Sequence, residues 1–441
     1  MRISIIFIFT CCISIFACRH QKQFTSSFGD RDLYCATVKK LNNVVLENNF
    51  PPMIAARNYV YACIAGYECM VAGDSTYQTL AGQIKHLPPL PKPQTGAKID
   101  FSLAALLAFI KVGNSVTFPD GSLMEYHASL IEQADSLGMP EEMHSATITF
   151  SDTIAAAILQ WSKGDAYGAT RGALKYEFKD VEGRWIPTPP MYASAVEPHW
   201  KKIRPMVLDS ASQFAIPPPP VYDIKNKNSI YYKSLLEVKN IGDSLNPEQK
   251  AIADFWDDNP FRMNVSGHVM FATKKFSPPG HWLNIVGIAA KEAKAGFNET
   301  VAAYAITSIA FFDAFIRAWE EKYKSNYVRP ETVITKYLDP YWQPHIQTPP
   351  FPSYVSGHAT NSAAAAEAMT SCFGDSLSFT DTSLVAFGIP ARKILSFRKA
   401  AEEAAMSRLY GGIHYRFDNE EGLKVGKKVG EYVVERLKLK K

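Results

Sequence analysis

A chain of 441 residues can bury a substantial core, in one large domain or two packed ones. Its apolar share of 47% and charged share of 20% are ordinary for a globular protein. The formal net charge of +4, with no basic tract interleaved with aromatics, gives no case for a nucleic-acid partner. The excess is better read as a few cations gathered at one site.

The N-terminus reads MRISIIFIFTCCISIFAC: one arginine, an apolar run from Ile3 to Ala17, then Cys18. The run is short for a spanning helix and suits a signal-peptide core, so residues 1–18 are expected to be a leader. Ile15-Phe16-Ala17-Cys18 resembles a bacterial lipoprotein box, which would make Cys18 a lipidated anchor on the membrane. The expected location is therefore exported, periplasmic or membrane-anchored. No later segment is expected to be long and apolar enough to span a bilayer. Of seven cysteines, three lie in the leader. Cys35, Cys63, Cys69 and Cys372 lack metal-site spacing and read as small buried thiols.

Beyond the leader the apolar periodicity is helical. Helices are expected at 53–71, 101–113, 150–163, 229–240, 247–257, 283–296, 298–324, 359–373, 389–410 and 414–438. With alternating strand patterns nearly absent, the class is all-α, as two packed helical bundles. From Trp185 to Tyr222 the chain carries Pro187, Pro189, Pro190, Pro198, Pro205 and the run Pro217 to Pro220. That composition makes an irregular connector, or a long ordered loop anchored by Trp185, Trp200 and Phe214. A soft boundary near 225 separates an N-terminal helical region, 19–225, from a C-terminal helical domain, 226–441.

Three pieces of the C-terminal region carry chemistry. The first runs Lys322-Tyr-Lys-Ser-Asn-Tyr-Val-Arg329-Pro330. If a helix persists through it, Lys322 and Arg329 share a face and converge on one anion, although such a pair alone usually marks a solvated face. Pro330 then ends the helix and pushes Arg329 toward extended backbone. The second piece is Phe351-Pro-Ser-Tyr-Val-Ser356-Gly357-His358, ahead of an alanine-rich helix former. Ser356, Gly357 and His358 thus fall at a helix N-terminus, where free N–H groups and the dipole favour an anion. Ser356 could equally be only a cap, and His358 only a surface histidine. The third piece is Ser407-Arg408-Leu-Tyr-Gly411-Gly412-Ile-His414-Tyr-Arg-Phe-Asp418. The glycines break one helix and His414 opens the next, with Asp418 four residues on to hold its second ring nitrogen.

The order and spacing of the three resemble the superfamily of type 2 phosphatidic acid phosphatases, bacterial acid phosphatases and vanadium haloperoxidases. Its pattern is Lys-x6-Arg-Pro, then Pro-Ser-Gly-His, then Ser-Arg-x5-His-x3-Asp, and here only Val355 departs, standing for the usual proline. PPFPSYVSGHA, Asp313 to Lys322 and Gly412 to Asp418 are similar to the haloperoxidase branch, in which Trp319 and Phe351 would be pocket aromatics. That resemblance implies an oxyanion site in the C-terminal bundle, holding vanadate through Lys322, Arg329, Ser356, Gly357 and Arg408. It implies that His414 bonds the vanadium, that His358 moves protons, and that Lys322 polarises peroxide toward the halide. The alternative is a phosphatase acting on a phosphomonoester, with His414 as nucleophile oriented by Asp418 and His358 as acid and base. A third reading is an exported anion-binding module without catalysis, whose sign would be loss of His358 or His414; both are present.

Val265-Ser-Gly-His268 and Pro278-Pro-Gly-His281 echo the second motif without its order or its alanine-rich helix. His281-Trp282 is expected to start a helix that packs near the site, and His345 to lie on the surface. No His-Glu-x-x-His or acidic calcium loop suggests a divalent-metal enzyme.

Overall fold

The computed structural model describes residues 24–260, 262–266, 269–272 and 275–441. The expected leader with Cys18 and the histidine of the 265–268 echo lie outside these residues.

The described residues are mainly helical. The first part contributes α1 (Arg31–Glu47), α2 (Pro52–Gly73), α3 (Phe101–Val116), α4 (Met124–Ser136), α5 (Glu141–Ser162) and the single turn α6 (Tyr167–Arg171). After the connector come α7 (Ile230–Asp243), α8 (Pro247–Phe255), α9 (Pro278–Glu292), α10 (Phe297–Ser325) and α11 (Pro330–Tyr337). The last three helices are α12 (Gly357–Phe373), α13 (Phe397–Tyr410) and α14 (Arg416–Arg436). Two short antiparallel hairpins complete the described structure, β1 (Met263–Ser266) with β2 (Val269–Ala272), and β3 (Phe379–Asp381) with β4 (Arg392–Ile394).

Helix starts follow local chemistry. Asp100, Ser229, Asn246 and Ser396 each accept a first-turn N–H, and α2, α8, α9 and α11 carry proline at the start, where a missing N–H costs nothing. α10 is the central rod. It packs on α2 on one side and on α12 and α14 on the other. By length and hydropathy α10 could cross a bilayer, which corrects the expectation that no such segment follows the leader. Its apolar stretch is wholly buried among other helices, so it serves as a core helix.

α12 and α14 lie side by side in the same direction. A Cβ added at Gly422 would fall 2.8 Å from the Ser356 carbonyl, one at Gly426 2.2 Å from that of Thr360, and one at Gly430 2.7 Å from that of Ala364. Glycine at each fourth position therefore lets the two backbones meet directly. Both helix N-termini consequently sit at one end of the pair.

The proline-rich connector is an ordered loop packed on the helices. Trp185 and Trp200 are fully buried, and Phe214 meets the Tyr432 ring edge-on. The Asp313 carboxylate, in the middle of α10, accepts N–H groups from Met206, Val207 and Leu208 at 2.7 to 2.9 Å. Among the cysteines, Cys63 and Cys69 are buried and Cys35 half-buried, as expected, whereas Cys372 is exposed; all four are free thiols.

Candidate oxyanion site

The second and third motif pieces line one small cavity of about 50 Å³, and the first stands directly behind its wall, with Arg329 Nη1 3.1 Å from His414 Nε2. The cavity has room for about three or four waters, the scale of a tetrahedral oxyanion. Gly357, His358, Arg408, Ile413 and His414 line it, together with the apolar wall of Phe315, Trp319 and Phe351.

The first piece differs in shape from its expectation. α10 stops at Ser325, and Asn326 takes a left-handed turn, so Lys322 and Arg329 do not share a helix face. Arg329 is instead the extended residue ahead of α11, at φ −78° and ψ 148°, as a position before proline requires. The two cations still converge because each grips the 351–353 loop. Lys322 Nζ donates to the carbonyls of Pro352 at 2.9 Å and Ser353 at 3.0 Å, while Arg329 Nε donates to that of Phe351 at 2.9 Å. Burial, and then its cationic neighbour Arg329, hold the Lys322 ammonium well below the usual lysine range. Burial also lowers the Arg329 guanidinium to about 9, against the pull of Asp418.

The second piece folds as its composition directs. Ser356 is the N-cap of α12, its hydroxyl accepting the Ala359 N–H at 3.3 Å. The first amides of α12, at Gly357 and His358, have no acceptor within the helix. A Cβ on Gly357 would sit 2.9 Å from the Trp319 ring, so this wall admits only glycine without a shift. His358 is buried. Burial, then Arg408 and His281, keep its imidazole well below the ordinary histidine value, and its Nε2 makes no hydrogen bond.

In the third piece, α13 ends at Tyr410 and His414 lies in the turn just before α14, rather than opening that helix. The pairing with Asp418 holds all the same. His414 Nδ1 is 2.8 Å from Asp418 Oδ2, which also accepts the Ser353 hydroxyl at 2.5 Å and the Tyr415 N–H at 3.2 Å. A carboxylate that is a pure acceptor fixes the proton on Nδ1 and leaves Nε2 with a lone pair. Arg329 Nη1, which can only donate, stands 3.1 Å from that Nε2 and donates to the Ile413 carbonyl at 2.8 Å. Burial, then Arg329, Lys322 and Arg408, keep the His414 ring neutral by depressing it far below its usual value. Arg408 donates through Nε to the Ser407 hydroxyl at 2.9 Å and through Nη2 to the Trp256 carbonyl.

Does this pocket suit vanadate or phosphate? Arg408, a helix N-terminus and a neutral imidazole whose Nε2 carries a lone pair line a space the size of a tetrahedral oxyanion, with Lys322 and Arg329 close behind. Arg329 Nη2 and His358 Nε2 are buried polar atoms with no partner, and a native interior rarely tolerates such atoms unless something completes them. A tetrahedral oxyanion supplies an acceptor oxygen to Arg329 Nη2, and a protonated oxygen of the same anion can donate to a neutral imidazole. Among the described residues no group of histidine, cysteine and carboxylate ligands could hold a metal ion by itself.

Sequence reasoning missed part of the surroundings. Asp258 and Asn259, just after α8, also line the cavity, with Asp258 Oδ2 lying 3.5 Å from His358 Nε2. Ser353, quoted within the second motif but given no role there, braces Asp418. His281 does lie in a helix near the site, within α9, but fully buried and paired with Asp258. Two adjacent aspartates after a tryptophan were the available signal for Asp258, and they are too common to be read alone. His345 is exposed and pairs with Asp254, as a surface residue does.

No curated protein sequence matches the chain. The family model of the VCPO second helical-bundle domain matches residues 302–440, the stretch holding all three motifs. The crystal structure of the first bacterial vanadium-dependent iodoperoxidase is similar with a TM-score of 0.89 and 38% identity, covering 95% of this chain and 99% of that one. The holo form of a bacterial vanadium-dependent chloroperoxidase shares the fold at a TM-score of 0.65 and 19% identity, over 88% of this chain and 92% of that one. Its apo form matches at 0.66 and 18%, over 88% and 95%. With more than a third of its residues identical across almost the full length of an iodoperoxidase of that class, the chain belongs to the vanadium-dependent haloperoxidase family.

Proposed function

We propose that this protein is a vanadate-dependent haloperoxidase that oxidises halide with hydrogen peroxide, with iodide the first halide to test given the iodoperoxidase similarity. The observation that carries the reading is His414, a neutral imidazole whose Nε2 keeps its lone pair beside Arg329 in a buried anion cradle and whose Nδ1 is locked by Asp418. In this reading Lys322, Arg329, Ser356, Arg408 and the Gly357 amide would hold vanadate, with His414 Nε2 as the protein ligand. Bound there, vanadate supplies a Lewis-acidic centre that activates hydrogen peroxide toward two-electron oxidation of halide.

The chain's own residues do the rest. His358, neutral at rest, takes a proton at Nε2 from incoming peroxide and returns one to the departing oxygen. Halide, peroxide and one proton give hypohalous acid and water, the peroxide O–O bond breaking as the halide loses two electrons. Lys322 aids this by polarising the peroxide. Trp319 and Phe351, whose ring centroids lie 5.0 Å apart, wall the site and keep bulk water out, which strengthens every charge inside it. Export through residues 1–18 with lipidation at Cys18, and a division near 225, stand as proposals beside this one.

The deciding assay is peroxide-dependent iodide and bromide oxidation by protein stripped of bound anions. Turnover that appears only when orthovanadate is added, and that phosphate suppresses, is the expected result. Absence of turnover with vanadate bound would instead favour hydrolysis of a phosphomonoester through His414, to which a neutral Nε2 nucleophile is equally suited.

A further inference from the structure

The Asp258 carboxylate that faces His358 is itself held from behind. His281 is fully buried, and both its ring nitrogens meet carboxylates: Nδ1 lies 3.0 and 3.1 Å from the two oxygens of Asp258, and Nε2 lies 2.9 Å from Asp381 Oδ2. A neutral imidazole has one N–H, so its other nitrogen would confront an acceptor with a lone pair. Only the doubly protonated ring satisfies both contacts. Burial opposes that charge, but Asp258 and then Asp381 outweigh it and raise the imidazole to about 10. Trp256 lies against the ring, tilted by 31° with centroids 4.9 Å apart, and its carbonyl takes the Arg408 guanidinium. Asp381 is anchored in turn, since it belongs to β3 and its second oxygen accepts the Ser383 N–H at 2.9 Å.

We propose that His281 and Asp381 are positioning residues for the proton-handling side of the site: a buried Asp381–His281–Asp258 chain that fixes the Asp258 carboxylate toward His358. The proposal rests on the haloperoxidase reading for what His358 does, but not for the chain itself. The imidazolium gives Asp258 a permanent partner. Without it, that buried carboxylate still feels the Arg408 guanidinium, and turning there would take the anion cradle's charge and leave His358 unfaced. A cation placed behind the carboxylate thus keeps the general acid–base group and the anion cradle separate.

The test uses the full protein, first free of vanadate. In nitrogen-15 histidine spectra, His281 should show two protonated, slowly exchanging ring nitrogens at pH 8. In Asp381→Asn the His358 resonances should move while those of exposed His345 stay put. With orthovanadate added, Asp381→Asn should lose about tenfold in turnover with vanadate affinity within twofold, and Asp381→Glu should recover part of the loss. A neutral His281 ring in the unmodified protein, which needs no variant to fold, would overturn the proposal. So would folded Asp381→Asn with unmoved His358 resonances. If the unmodified protein shows no vanadate-dependent turnover, the haloperoxidase reading fails, while the spectra still decide for or against the chain.

Discussion

At the scale of single residues, the site turns on atoms that burial has left unfinished. Substituting His414→Ala removes the lone-pair nitrogen that Asp418 orients beside the cradle cations; vanadate-dependent turnover should fall below detection while the circular dichroism spectrum is kept. Arg408→Lys should weaken vanadate by about tenfold or more, because an ammonium cannot replace a guanidinium fork; titration calorimetry reads this directly. A carboxylate far from the site gives a third expectation. Glu68 accepts the Thr79 hydroxyl at 2.6 Å and the Leu80 N–H at 2.7 Å, yet burial raises it to about 7. Its folded value lies above its unfolded one, so its contribution is complete below about pH 4.5 and is lost as pH rises through about 7. Glu68→Gln should therefore match the parent near pH 5 and exceed it at pH 8, by on the order of 2–3 kcal/mol in denaturant titrations. The cradle residues were legible because lysine, arginine, serine, glycine and histidine at fixed spacings have few other reasons to recur together. Asp258 and Asp381 were not, nor was the pairing of His281 with them, because it exists only once three distant segments have packed.

At the scale of elements, what matters is where helices begin. α12 and α14 both present N-termini to the cavity, and the Pro278 end of α9 lines it too, so three helix dipoles add to the side-chain cations. Gly357→Ala should push on Trp319 and cost most of the vanadate affinity with little loss of stability, since the ring edge is the only contact below 3 Å. Long helices were readable from periodicity, but boundaries and small elements were not. The expected helix 389–410 starts only at Phe397, because Arg392–Ile394 is drawn out to pair with β3; three residues are too few to show alternation. The expected helix 150–163 in fact begins at Glu141, its first turns being polar on most faces. α4 and α11 went unread for a like reason, the first with few buried residues and the second only 8 residues long. α1 also went unread, although it has an Asp30 cap and a spaced apolar set at Tyr34, Val38, Leu41 and Val45.

At the scale of the whole molecule, α10 joins the parts. It carries Lys322 and Trp319 near its end, and at Asp313 it fastens the proline-rich connector by three backbone N–H groups. Asp313→Ala leaves those amides without acceptors and should cost about 3 kcal/mol or more, seen as a lower unfolding midpoint. Removing bound anion returns the cradle to mutual repulsion among Lys322, Arg329 and Arg408. The stripped protein should melt several degrees lower than the vanadate-loaded one, the gap growing with the logarithm of vanadate concentration. Composition announced a large helical protein, but it could not reveal that α10, apolar enough for a bilayer, spends that surface inside the protein.

The glycine-lined seam between α12 and α14 makes the catalytic geometry a matter of backbone mechanics. Side chains elsewhere can creep, rotate or be exchanged as temperature rises, but a seam of carbonyl against glycine has no such slack. The distance between the Ser356–His358 turn and His414 is set by it as by a rigid ruler. Heat should thus leave the active geometry untouched until the helices themselves part, and catalysis should end in the same narrow interval as the fold rather than fade ahead of it.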